Sequence, residues 1–130
     1  MKILRTLATI ITSLVLPLSL YAADISGTWT ATFDTQIGQQ NYTYEFKATG
    51  TELTGSVKSG NGEATIEDGK IAGDDVSFTE HMTYQGTALT IKYTGKVVSP
   101  DEIDFTRKVG EFATEQLVAK RVNPPNAPRR

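Results

Sequence analysis

Few side chains in this sequence are of a type that does chemistry, and their spacing decides what each can do. His81 is the sole histidine. In the alternating run Val76 to Tyr84 it shares a face with Ser77 and Thr79, opposite Phe78 and Met82, so it points to solvent. One outward imidazole makes neither a catalytic pair nor a two-histidine metal site. There is no cysteine, which removes thiolate ligands, disulfides and any lipid-modified cysteine. Asp74-Asp75 and Asp101-Glu102 are acidic pairs, but no stretch has the alternating oxygen ligands of a calcium loop. Beside Gly73 and Pro100 they read as turn formers. Gly60-Asn61-Gly62 is a hairpin turn, because no helix follows to make it a phosphate loop. No metal, no cofactor and no catalytic residue are expected, and the chain does not read as an enzyme.

Two charges stand out by position. Glu80 falls on the face of Val76, Phe78, Met82 and Tyr84. Arg107 falls on the face of Ile103 and Phe105. A charge on an apolar face is costly unless it is paired or wet. They read either as a polar anchor for a ligand at an open mouth, or as a mutual ion pair, as charges exposed at the rim, or as residues that a β-bulge turns outward. Tyr42, Tyr44, Tyr84 and Tyr93 alternate with polar residues in the same way, which suits core positions or the lining of a small pocket.

The elements that carry these residues are strands. Trp29, Ala31 and Phe33 alternate with threonines, and Tyr42, Tyr44, Phe46 and Ala48 with Thr43, Glu45 and Lys47. Similar runs follow at Leu53 to Val57, Val76 to Phe78, Leu89 to Tyr93, Ile103 to Phe105 and Leu117 to Ala119. Such alternation gives one dry and one wet face per strand. Turn residues recur between the runs, at Gly50, Gly60-Asn61-Gly62, Gly73-Asp74, Gly86, Pro100-Asp101 and Gly110. About eight strands are expected, starting near residues 27, 42, 52, 63, 75, 87, 102 and 113. The turns are short, so neighbours pair antiparallel as a meander. The segment Gly69 to Thr79 echoes Gly95 to Thr106, which fits a sheet built from repeated hairpins.

The two ends differ from this pattern. Residues 1–22 have a basic start at Lys2 and Arg5, an apolar stretch from Leu7 to Leu20, and small residues before Asp24. That order reads as a secretory signal peptide, so the mature protein is expected in the periplasm or outside the cell, without stable membrane insertion. Residues 23–121 form the barrel domain, and 122–130, with three prolines and two arginines, read as a disordered tail. Removing Lys2 and Arg5 from the thirteen basic residues leaves eleven against fifteen acidic ones, a net charge of −4. Dispersed negative charge argues against nucleic acid as a partner.

Eight antiparallel strands leave two edges unless the sheet closes on itself. Counting reversals puts Arg121, at the end of the last strand, at the rim where Trp29 begins the first. Closure then brings guanidinium and indole together as a cation–π pair. Ile25-Ser26-Gly27-Thr28-Trp29, with Arg121 in Ala119-Lys120-Arg121, resembles the calycin superfamily of lipocalins and avidins. Leu53-Thr54-Gly55-Ser56 adds a streptavidin-like note. The resemblance implies an all-β, eight-strand antiparallel meander β-barrel, calycin-like, closed by Trp29 and Arg121. Avidin-type biotin sites use several tryptophans, and this chain has one, so biotin is not the expected ligand.

Function follows as an expectation. An exported, non-catalytic barrel would bind a small apolar or amphipathic ligand at its mouth, at the rim away from Trp29. Phe33, Tyr44, Met82 and Tyr84 would line the site, with Glu80 or Arg107 fixing the ligand's polar end. The segment Asp34 to Asn41 is expected as the longest connection there. The alternative is a rigid interaction module that holds a protein or polysaccharide by its surface or loops.

Overall fold

A threonine-rich chain with every second residue apolar forms a strand wherever its apolar face has something to pack on. The computed structural model describes residues 24–123, so the leader and most of the tail lie outside the described residues. Nine strands are present among the described residues: β1 (Gly27–Thr35), β2 (Gly38–Thr49), β3 (Glu52–Ser59), β4 (Gly62–Thr65), β5 (Glu67–Ala72), β6 (Asp75–Tyr84), β7 (Thr87–Ser99), β8 (Glu102–Val109) and β9 (Ala113–Arg121). All pairings are antiparallel, and β9 returns to pair with β1. Eight strands close into an antiparallel meander barrel. β4 is an extra strand that pairs with β3 alone.

The expected fourth strand is thus split in two. Ile66 turns its side chain into the core and its amide to the Gly55 carbonyl at 3.0 Å. Asp68 takes a left-handed φ of 52°, and the β5–β6 register slips between Glu67 and Lys70. A bulge of this kind bends a strand and ends its pairing. Below it, β5 pairs with β6. Above it, β4 leans on β3 and the upper half of β6, Glu80 to Tyr84, pairs only with β7.

The connection from Asp34 to Asn41 is not a long loop. β2 begins at Gly38 rather than near residue 42, and only Gln36 and Ile37 separate it from β1. Thr32 pairs with Asn41, Phe33 with Gln40 and Thr35 with Gly38. The Thr35 hydroxyl holds the turn, donating to the Gly38 carbonyl at 2.8 Å and accepting from the Ile37 amide at 3.2 Å. This hairpin rises past the packed interior, so Gln39, Gln40 and Asn41 have no core to face and carry no apolar alternation.

The inward rows stack into a packed column. At the lower end Trp29, Ile25, Ile71, Val76, Ile103 and Ala119 are buried. In the middle Tyr44, Phe46, Phe78, Tyr93 and Phe105 meet ring against ring, with Phe78 stacked on Tyr93 at 4.3 Å and most other pairs tilted or edge-on. Gly95 makes room for this cluster, since a Cβ there would come within 2.4 Å of the Phe105 ring. The aromatic rings pack up to Tyr93, and the buried charged side chains Glu80, Arg107 and Glu115 lie above them.

Candidate functional site

Arg107 is the centre of the buried polar group. β8 carries it inward two residues beyond Phe105, and cross-strand pairing sets Tyr93 on one side and Glu115 on the other. Its Nε donates to the Tyr93 hydroxyl at 2.9 Å, Nη1 to Glu115 Oε1, and Nη2 to the Tyr42 hydroxyl at 2.9 Å. The guanidinium also lies over the rings of Tyr42, Phe33 and Tyr93, at 5.0, 5.5 and 5.7 Å. Desolvated cation–π contacts of this kind add to the hydrogen bonds.

Glu80 enters the group through Tyr93. The Tyr93 hydroxyl donates to Glu80 Oε1 at 2.8 Å, so its only proton is committed. The Tyr44 hydroxyl, 3.2 Å away, is then the donor in the Tyr44–Tyr93 contact. A chain of donation therefore runs from Tyr44 through Tyr93 to Glu80. Arg107 Nη2 stands 4.0 Å from Glu80 Oε1, an ion pair without a direct hydrogen bond. Glu80 is 3 %, Arg107 3 % and Glu115 8 % exposed, so three ionisable groups lie close together and largely out of solvent.

The electrostatics follow from that burial. Desolvation pushes the Glu80 carboxyl above its ordinary range, against the opposing pull of the Tyr93 hydrogen bond and of Arg107. The hydroxyls of Tyr42, Tyr44 and Tyr93 all move up, chiefly through burial, and stay neutral donors. Burial works against the charge on Arg107, but the groups around it, Tyr93 and Tyr42 first, outweigh that and move its pKa up.

A cavity of about 320 Å³ opens above Arg107 at the rim away from Trp29. Its floor is Tyr42, Arg107 and Glu115, and its walls are largely Ile37, Met82, Tyr84, Leu89, Val109 and Phe112. A second hollow, about 350 Å³, lies on the side of the barrel where β4 and the upper half of β6 part, with Glu80 and Ala64 among its walls. The two share Asn61, Met82 and Leu89.

Met82, Tyr84 and Arg107 thus meet at the mouth as the sequence places them. Phe33 is buried beside Arg107 and is not part of the cavity wall. Tyr44 sits lower, inside the aromatic column. Glu80 faces inward but opens to the lateral hollow. Trp29 and Arg121 meet at the other end, with the guanidinium 4.5 Å from the indole ring and Trp29 paired with Arg121 in register. His81 points outward, exposed, with Glu67 at 2.7 Å.

Glu115 was not singled out from sequence. It lies two residues before Leu117 and four before Ala119, so the same period-two count turns it inward. No group of three or more histidines, cysteines or carboxylates placed to hold a metal ion occurs among the described residues. Compared with protein-family models, curated proteins and solved structures, the chain matches none.

Proposed function

We propose that this protein is an exported, non-catalytic, calycin-like barrel that holds a small apolar or amphipathic molecule at its mouth. The mouth cavity carries this reading. A recess of about 320 Å³ with apolar walls over a buried polar floor has the form of a small-molecule site, at the small end of the usual size range. The polar groups converge at its base, where they can orient a ligand whose apolar part lies against Met82, Leu89 and Val109. The Trp29–Arg121 contact supports the calycin-like closure. The charged, apolar and small-residue order of residues 1–22 supports export.

The neutral dye N-phenylnaphthylamine tests the reading directly. Its fluorescence should rise and saturate on titration with the mature protein. Ala113, half-buried and part of the cavity wall, is the position at which to fill the recess. Ala113→Trp should abolish the signal while the thermal transition persists. An unchanged signal in a folded Ala113→Trp variant would place the dye elsewhere and count against the mouth.

A second reading has one observation in its favour. Ile37 and Phe112 on the mouth rim are 50 % and 70 % exposed. Exposed apolar side chains grouped at one end suit an interaction module for a protein or polysaccharide. Failure of apolar probes to bind the mouth would leave that reading in place.

A further inference from the structure

We infer that the polar end of the ligand is a cation, an alkylammonium or similar amine, received by Glu115 with Glu80 behind it, and that the mouth disfavours carboxylate and phosphate ends. The inference rests on the mouth reading and names the ligand class for it.

Arg107 looks like an anion receptor but has three of its five N–H donors already engaged. Each of its three nitrogens donates to a protein oxygen, on Tyr93, Glu115 or Tyr42. Three aromatic rings lie within 5.7 Å of the guanidinium carbon. An arriving carboxylate could reach only the two N–H groups left over, one on each Nη, and would then stand beside two carboxylates. No other lysine or arginine contributes to the cavity wall to offset that repulsion.

The carboxylates, by contrast, have capacity to spare. Glu115 uses Oε1 for Arg107, and Glu80 uses Oε1 for Tyr93. Among the described residues neither Oε2 takes a hydrogen bond from the protein. An ionised carboxylate has about four acceptor positions, so each is under-used. Both are more than nine-tenths buried, yet each reaches an opening, Glu115 the mouth cavity and Glu80 the lateral hollow. With both ionised, two negative charges face one positive charge in a desolvated space. A cationic end brings the group to neutrality, whereas an anionic end doubles the imbalance. Burial magnifies that difference because the dielectric is low and screening weak. The amide side chains of Gln40 and Asn61 at the cavity wall can accept from an ammonium as well.

Three probes of one chain length separate the possibilities: decylamine, decanol and decanoate. Each is titrated calorimetrically into the mature protein at neutral pH, below its aggregation limit. Decylamine should bind at least about tenfold more tightly than decanoate, with decanol between them. Glu115→Gln, which keeps an oxygen for Arg107, should weaken decylamine by about tenfold and leave decanol unchanged. The comparison of the three probes on the unaltered protein does not depend on any variant folding. Decanoate binding as tightly as decylamine, or more tightly, would overturn the inference while leaving the mouth reading intact. No measurable binding of any of the three would remove both.

Discussion

Glu80 is the residue whose chemistry is most altered by its place. Desolvation raises its carboxyl above the ordinary value of 4.5, with Tyr93 and Arg107 only partly offsetting the effect. The consequence for stability has a definite sign. In the unfolded chain Glu80 loses its proton near the ordinary value, while in the folded barrel it holds the proton to higher pH. The folded state therefore binds more protons across that window, and its stability falls as pH rises from about 4.5 through the raised value. Glu80→Gln keeps an oxygen for the Tyr93 hydroxyl and cannot titrate. Urea unfolding midpoints measured across this range should fall with pH more steeply for the native protein than for Glu80→Gln. Parallel slopes would mean that Glu80 is not desolvated in solution.

At the scale of elements, the close pairing of β2 with β3 depends on a single residue without a side chain. Gly55 has a φ of 148°, and a Cβ there would stand 1.8 Å from the Glu45 carbonyl oxygen. The obstruction is backbone, so no side-chain rotation relieves it. Gly55 also accepts the Ile66 amide, which anchors the break between β4 and β5. Gly55→Ala should destabilise the fold by about 2–4 kcal/mol, combining backbone strain with displaced pairing. Chemical denaturation checks this, and a loss under about 0.5 kcal/mol would show that β2 and β3 can separate at little cost. The β4–β5 break has its own effect, because it frees the upper half of β6 from a partner and opens the hollow in front of Glu80.

For the molecule as a whole, closure is the decisive step. Trp29 donates its indole N–H to the Ile25 carbonyl at 2.8 Å, and Arg121 lies over its ring. Arg121 also donates to the carbonyls of Pro100, Ser26 and Asp24, at 3.0, 2.7 and 3.0 Å. One side chain thereby ties the end of the last strand to the segment before the first and to the β7–β8 turn. Trp29→Ala should cost about 3–5 kcal/mol, as large-to-small core changes do. Arg121→Ala should cost about 1–2 kcal/mol. In a double-mutant cycle the two should couple by at least about 0.5 kcal/mol. Strict additivity would show that the contact contributes nothing to holding the barrel shut.

The sequence by itself determined which face most strand residues take, outside the bulge between Ile66 and Ile71. Period two is a property of the extended backbone, so Trp29, Tyr44, Phe78, Glu80, Phe105, Arg107 and Arg121 follow from counting, and Glu115 follows from the same count. Short turns rich in glycine and acidic residues likewise determined the meander. Three things were decided only by the tertiary structure. The hairpin above Phe33 is regular strand although its residues are polar, because pairing rather than burial holds it. The break at Ile66 arises because the amide and side chain of one residue are claimed by β3 and the core. The union of Glu80, Tyr93, Arg107, Glu115 and Tyr42 depends on strand stagger around a closed barrel. Local alternation turns each of these side chains inward, but only the register of closure decides which of them meet.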